Sequence, residues 1–151
     1  MTEAPTRRTV LILAAAALIS SAMPTAAEGG AHRVAIQVDS NDPAVMNMAL
    51  NNLSNVAEYY TGVGEEVQIE LVTFGPGLHM MREDNSPVKE RLKKLKKSLP
   101  NLTLTACENT RNGMKRVEGR EIPLMAEVVS VPSGVVRLMQ LQEQGWSYIR
   151  P

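Results

Sequence analysis

The chain has 151 residues, 16 Lys+Arg against 16 Asp+Glu, a single Cys and only five aromatic residues, one Phe, one Trp and three Tyr. With 44% apolar and 21% charged residues it has the composition of a soluble globular domain, which excludes a disordered or collagen-like chain. Zero net charge disfavours nucleic-acid binding, which needs a basic surface. One cysteine excludes an intramolecular disulfide, a Cys-x-x-Cys redox pair and a Cys-rich metal site.

The first residues have the features of an export signal. Arg7 and Arg8 precede an apolar, alanine-rich segment over 10–23, which is shorter than the roughly 20 residues of a membrane-spanning helix. Small residues then lead to Ala27, after which we expect cleavage. We therefore predict a signal peptide over 1–27, twin-arginine-like or Sec, a spacer over 28–33, a periplasmic domain over 34–151, and no stable membrane insertion after cleavage.

Strands and helices alternate along the rest of the chain. Short β-branched or apolar runs predict strands over 33–38, 67–74, 102–106, 128–131 and 146–149. The first helix is predicted to begin at the N-cap Asp42 and to bury a stripe of Val45, Ala49, Leu53, Val56 and Tyr60. A second helix carries Val88, Leu92, Leu95 and Leu99, a short third one is capped by Asn109 or Thr110, and Ser133 caps the last. This order predicts an α/β fold, a three-layer α/β/α sandwich around a mostly parallel five-stranded sheet.

Three segments follow strands and are predicted to lie at the carboxyl edge of the sheet, where ligands bind in such folds. They contain the candidate pocket residues Asp39, Gly75, Pro76, Gly77, Asn109 and Thr110, together with Cys107 as the candidate catalytic residue. A thiol at a helix N-terminus has a lowered pKa and is reactive, whereas a buried cysteine can simply fill space, and both interpretations stand. The glycines either form a turn or cradle a phosphate, and Asp39 either orients a ligand or closes a turn.

Other residues give weaker signals. His32 and His79 lack metal-ligand spacing, so we expect no metal and no cofactor. The basic run over 89–97 is either a solvated helix face or a docking patch for an acidic partner or an anionic sulfur compound. The methionines, among them Met46, Met48, Met80 and Met81, are expected to fill the core or form subunit contacts.

The domain over 34–151 resembles the DsrE/DsrF-like proteins of sulfur metabolism, specifically their small stand-alone members. The resemblance lies in FGPGL at 74–78, ACENT at 106–110 and VPSGVVRL at 131–138, followed by QEQGW at 142–146 and YIRP at 148–151. It implies assembly into trimers or hexamers and a cysteine that carries sulfur as a persulfide, a role that Cys107 matches. Relay members of the family usually work in the cytoplasm, whereas this chain has an export signal.

Two functional hypotheses follow. In the first, the protein handles sulfur in the periplasm, and Cys107 accepts and relays sulfane sulfur from a donor protein or small sulfur compound, as a carrier or sulfurtransferase. In the second, the protein is a non-catalytic oligomeric binding or accessory module with a structural cysteine.

Overall fold

A computed structural model describes Met1 and residues 32–151. The predicted signal peptide, apart from Met1, and most of the predicted spacer lie outside these residues. The elements, in chain order, are β1 (His32–Val38), α1 (Pro43–Gly62), β2 (Val67–Thr73), a 3₁₀ helix (Gly75–Met81), α2 (Lys89–Ser98), β3 (Leu102–Cys107), α3 (Glu108–Glu118), β4 (Val128–Val131), α4 (Gly134–Glu143) and β5 (Ser147–Ile149).

The five strands form one sheet in the order β4-β3-β2-β1-β5, and every neighbouring pair is parallel. The predicted five-stranded parallel sheet is therefore confirmed. The connections from β1 to β4 all step in one direction across the sheet, whereas the connection from β4 to β5 returns past β3, β2 and β1. Because such crossovers are almost always right-handed, this reversal places α4 on the face opposite to the earlier helices.

The two faces of the sheet are covered unequally. The larger core contains buried residues of α1, the 3₁₀ helix and α2, and Met114 of α3 packs against it. The smaller core, on the other face, has only four buried members, Ala35, Val72, Leu138 and Leu141, of which the last two belong to α4. The molecule is thus a three-layer α/β/α sandwich, as predicted, and within residues 32–151 α4 is the helix that forms one of its outer layers.

Local signals fixed most helix ends. The carboxylate of Asp42 accepts a hydrogen bond from the Ala44 backbone N–H at 2.8 Å, and Pro43 occupies the first helical position, as predicted. At the other end of the domain, the Ser133 hydroxyl accepts a hydrogen bond from the Val136 N–H at 3.4 Å and caps α4.

The predicted buried face of α1 was displaced. The structure buries Ala49 and Leu53 as expected, but their neighbours in the core are Met46, Leu50 and Ala57. The predicted members Val45, Val56 and Tyr60 are only partly buried, because α1 lies on the sheet along a line about one residue further round the helix. Within residues 32–151, no helix is both long enough and apolar enough to cross a membrane.

Candidate active site

The carboxyl ends of β3 and β4 form a switch point of the sheet. These strands are neighbours, yet the helices that follow them, α3 and α4, lie on opposite faces of the sheet. In open parallel sheets this switch in direction leaves a gap beyond the strand ends, and ligands bind there. Cys107, the last residue of β3, is paired with Val131 of β4 at this point.

Cys107 is both the end of a strand and the start of a helix. It is the N-cap residue of α3, which begins at Glu108, so the predicted caps Asn109 and Thr110 are wrong. The reason is that β3 passes directly into α3 without an intervening turn, and both residues lie inside the first turn of the helix. The thiol itself is recessed, since Cys107 is only 5% exposed.

The amino terminus of α4 closes over Cys107 from the other face. A Cβ atom added to Gly134 would lie 3.3 Å from the Cβ of Cys107 and 3.0 Å from the Cδ1 of Phe74. A side chain at position 134 would therefore hold α4 away from the thiol. Glycine at this position lets the first backbone N–H of the helix approach the sulfur.

The first turns of α3 and α4 both lie beside the Cys107 thiol. Burial raises the pKa of the thiol, but hydrogen bonds from the Thr110 hydroxyl and from the backbone N–H groups of Gly134, Thr110 and Asn109 lower it. The net result is a pKa below the ordinary value of a cysteine thiol. Since α3 and α4 both present their amino termini here, the partial positive charge of both helices also favours the thiolate.

Gly75 contributes to the site through Thr110. The backbone N–H of Gly75 donates a 2.9 Å hydrogen bond to the Thr110 hydroxyl, which leaves the hydroxyl proton free to point at the sulfur. Gly75 has a φ of +52°, in the left-handed region that favours glycine. The predicted turn over 75–77 is the start of a 3₁₀ helix, which forms one side of the site.

Gly77 allows the 3₁₀ helix and β1 to lie in close contact. A Cβ atom at this position would lie 2.1 Å from the backbone oxygen of Val38. Pro76 is exposed on the outer side of the same turn. Close packing against β1 therefore explains why residue 77 is a glycine, and no phosphate-binding role is needed to explain it.

Asp39 lies away from the thiol, because β2 separates β1 from β3. Its carboxylate accepts hydrogen bonds from Arg150 at 2.9 Å and from the Gln37 side chain at 3.1 Å. This residue therefore ties the end of β1 to the carboxyl-terminal segment. Of the predicted site residues, the structure brings Gly75, Asn109 and Thr110 to Cys107, while Gly77 and Asp39 contact each other at the end of β1.

The negative charge of Glu108, the residue next to Cys107, is paired with Arg111. Its carboxylate lies 3.7 Å from the guanidinium of Arg111, which also donates a hydrogen bond to the backbone oxygen of Ile122 at 2.9 Å. The negative charge of Glu108 is thus held in an ion pair within α3.

The basic run over 89–97 largely serves internal contacts. Lys89 and Lys93 both pair with Glu83, at 3.3 and 3.2 Å, while Arg91 binds the side chains of Asn47 and Asn51 on α1 at 2.7 and 2.6 Å. In Met1 and residues 32–151, no three His, Cys, Asp or Glu side chains are placed to hold a metal ion. Met46, Met80 and Met81 are fully buried in the larger core, whereas Met48 is half exposed.

Two residues of the site, Gly134 and Phe74, were not among the predicted ones. The sequence carried a partial signal for the first, because Ser133 was predicted to cap α4 and so to leave free N–H groups beside it. What it did not contain was the position of that helix, which depends on the strand order.

No protein-family model and no curated protein sequence matches the chain. The chain is similar to a solved structure, that of a protein of unknown function, MTH1491, from Methanobacterium thermoautotrophicum. The two are 29% identical, the TM-score is 0.68, and the match covers 80% of this chain and 99% of that one. The similarity thus extends across the whole of the described domain and supports its α/β/α architecture.

Proposed function

We propose that the protein handles sulfur in the periplasm, and that Cys107 accepts a sulfane sulfur and relays it as a persulfide. The observation that carries this proposal is the position of the chain's one thiol, at the N-cap of α3 and against the first residue of α4, where hydroxyl and N–H groups lower its pKa. A thiolate is the nucleophile that such chemistry needs. The resemblance of residues 34–151 to the DsrE/DsrF-like proteins supports the same conclusion.

The transfer is balanced without an external oxidant. With thiosulfate as donor, the Cys107 thiolate attacks the outer sulfur, the S–S bond of thiosulfate breaks, and its electron pair leaves with sulfite. The product is a Cys107 persulfide, which is about 2 Å longer than the thiol. In the second step an acceptor thiolate attacks the outer sulfur of that persulfide, and the electron pair returns to Cys107 as a thiolate.

The surrounding residues have distinct roles in this scheme. Thr110, held by the Gly75 N–H, donates a hydrogen bond from its hydroxyl to the negative sulfur, and the Gly134 N–H does the same from α4. The Asn109 N–H donates to the Pro132 oxygen at 3.2 Å and ties α3 to the end of β4. The Thr110 and Gly134 donors favour the thiolate in both the resting and the released state. The sulfur donor is either a small sulfur compound or a partner protein that presents a persulfide.

Mass spectrometry of the intact protein tests this proposal. Purified protein incubated with thiosulfate or polysulfide should gain the mass of one or more sulfur atoms, and a thiol reductant should remove it. The Cys107→Ala variant should gain nothing. An unmodified wild-type protein, or equal modification of Cys107→Ala, would refute the carrier function.

A second candidate function is favoured by the burial of the thiol. Cys107 is 5% exposed and packs against Gly134, so it also fits a structural residue in an oligomeric binding or accessory module. In that case Cys107 reacts slowly with alkylating reagents, and Cys107→Ala is destabilised but functional. The alkylation rate across pH separates the two candidates, because a carrier thiol should titrate well below about 8.5.

We further propose that the protein forms a homo-oligomer, a trimer or hexamer. Five large apolar residues are exposed on the side of the sheet that carries α4, namely Val129, Val135, Val136, Met139 and Tyr148. Three of them, Val135, Val136 and Met139, lie close together on α4, and exposed apolar side chains grouped in this way are typical of a contact surface between subunits. Light scattering should give a mass several times that of one chain, and Val135→Glu with Met139→Glu should reduce it. A monomer at every concentration would contradict this assembly.

The periplasmic location is also a proposal, and it depends on the predicted signal peptide. Expression of the full chain should yield a periplasmic protein that begins at Glu28. Replacing Arg7 and Arg8 by lysine should block export by the twin-arginine route but leave Sec export largely intact. Full-length protein retained in the cytoplasm would refute the predicted location.

A further inference from the structure

A buried carboxylate lies beneath α4, outside the set of residues that contact the thiol. Glu70, on β2, is only 2% exposed. Its two oxygens receive a bidentate pair of hydrogen bonds from Arg137 of α4, at 2.8 and 2.6 Å, and the Thr105 hydroxyl of β3 donates to it at 2.8 Å. Glu70 therefore connects three elements, two neighbouring strands and the helix that covers them.

This connection runs alongside the contact between α4 and the thiol. Thr105 precedes Cys107 by two residues, so both side chains point to the same face of β3. Arg137 follows Gly134 by three residues, so the two lie one helical turn apart on the same side of α4. Along β3 and α4, the link through Glu70 therefore lies next to the contact between Gly134 and Cys107.

The segment that leads into α4 is held by β4, since Val131 pairs with Cys107 and the Pro132 oxygen accepts a hydrogen bond from the Asn109 N–H at 3.2 Å. The orientation of α4 itself depends on other contacts. Its buried apolar anchors are Leu138 and Leu141, in the smaller of the two cores. Val135, Val136 and Met139 point away from the sheet and are exposed. An apolar contact can slide, whereas a bidentate guanidinium–carboxylate pair sets both distance and orientation.

We propose that Glu70 and Arg137 are positioning residues for the Cys107 site, which hold the first turn of α4 so that the Gly134 N–H donates to the thiolate. This inference rests on the proposed function only for what the thiolate does, namely accept sulfur. The positioning itself is a property of the unmodified thiol, and it can be measured without any sulfur donor.

The experiment is a pH titration of the thiolate by its ultraviolet absorbance, with Cys107→Ser as the blank. Because the chain has one cysteine, the signal belongs to Cys107 alone. Because burial raises the pKa of the thiol, a loosened helix that merely exposed the thiol would lower the midpoint, whereas loss of the Gly134 hydrogen bond raises it. A lowered midpoint therefore counts against the proposal, as an unchanged one does. In Arg137→Met the titration midpoint should rise by roughly one pH unit, the effect of losing one hydrogen bond to a charged group.

A double variant separates position from charge. Arg137→Met alone also removes a positive charge, which would by itself raise the midpoint. Glu70→Leu combined with Arg137→Met removes both charges and leaves the local net charge unchanged, and such replacements of a buried pair usually preserve folding. We expect the same rise in the midpoint of this variant, because the bidentate link is equally lost.

Arg91→Met is the matched control. Like Arg137, Arg91 makes short hydrogen bonds to another element, here to α1 side chains, but it lies on the opposite face of the sheet. Its midpoint should equal that of the wild type. An unchanged midpoint in the double variant overturns the proposal, whatever Arg137→Met alone shows. A raised midpoint in a protein that takes up no sulfur would refute the proposed function and leave the positioning role intact.

Discussion

Gly77→Ala is a direct test of the packing that places the 3₁₀ helix against β1. The added Cβ atom would lie 2.1 Å from the Val38 oxygen, 2.6 Å from the Val38 carbonyl carbon and 2.9 Å from the Cα of Asp39. All three are backbone atoms at the carboxyl end of β1, where Val38 pairs with Thr73 of β2, so no side-chain rotation relieves the clash. The 3₁₀ helix must move outward by about 1 Å to restore ordinary contact distances.

That movement has a calculable cost. Overpacking of this kind costs about 1–3 kcal/mol, and the displacement also strains the 3.3 Å hydrogen bond from the Phe74 N–H to the Val38 oxygen, worth about 1 kcal/mol. We expect Gly77→Ala to lower the free energy of unfolding by about 3 kcal/mol and the melting temperature by roughly 12 °C. Urea unfolding followed by circular dichroism measures both the midpoint and the slope.

Gly62→Ala is the matched control, because nothing lies within 4 Å of a Cβ atom at the end of α1. It should leave stability unchanged or raise it by up to about 1 kcal/mol. A Gly77→Ala protein with the urea midpoint of the wild type would refute the argument from close approach.

Three further predictions concern hydrogen bonds and ion pairs. Thr110→Val removes the hydroxyl that donates to Cys107, so the pKa of the thiol should rise and its alkylation profile should move to higher pH, whereas Thr110→Ser should keep the wild-type profile. Arg82→Met should reduce the free energy of unfolding by about 2 kcal/mol in urea titrations, because the buried guanidinium holds Asp84 at 2.8 Å and Glu118 at 2.5 Å. Hydrogen bonds from Arg82 lower the pKa of both Asp84 and Glu118, so their stabilising contribution is complete above their ordinary pKa, near pH 4, and is lost as the pH falls below it. The stability difference between wild type and Arg82→Met should therefore shrink below about pH 4, and a constant difference in acid would contradict this assignment.

Local chemistry in the sequence was enough to predict the order of elements and most of their ends. Asp42 with Pro43 and Ser133 gave helix starts from cap chemistry, which depends only on neighbouring residues. The cap of α3 was the exception. Asn109 and Thr110 are good caps by residue type, but the strand leading into Cys107 continues straight into the helix.

Side-chain periodicity predicted that α1 is amphipathic but not which line of it faces the sheet. The predicted and observed faces share Ala49 and Leu53 and differ by about one residue in rotation. Apolar residues flank both lines, so the sheet surface decides between them. Met46 and Leu50 are fully buried in the larger core, while Val56 and Tyr60 pack at its margin.

Residue patterns alone predict an alternating α/β domain in which one cysteine follows the third strand. The surroundings of that cysteine depend on contacts between residues far apart in the chain: Gly134 approaches Cys107, and Arg137 binds Glu70. These contacts follow from the strand order. Since the chain reverses direction after β4, α4 must cross the opposite face of the sheet, and its amino terminus then meets that of α3 at the thiol.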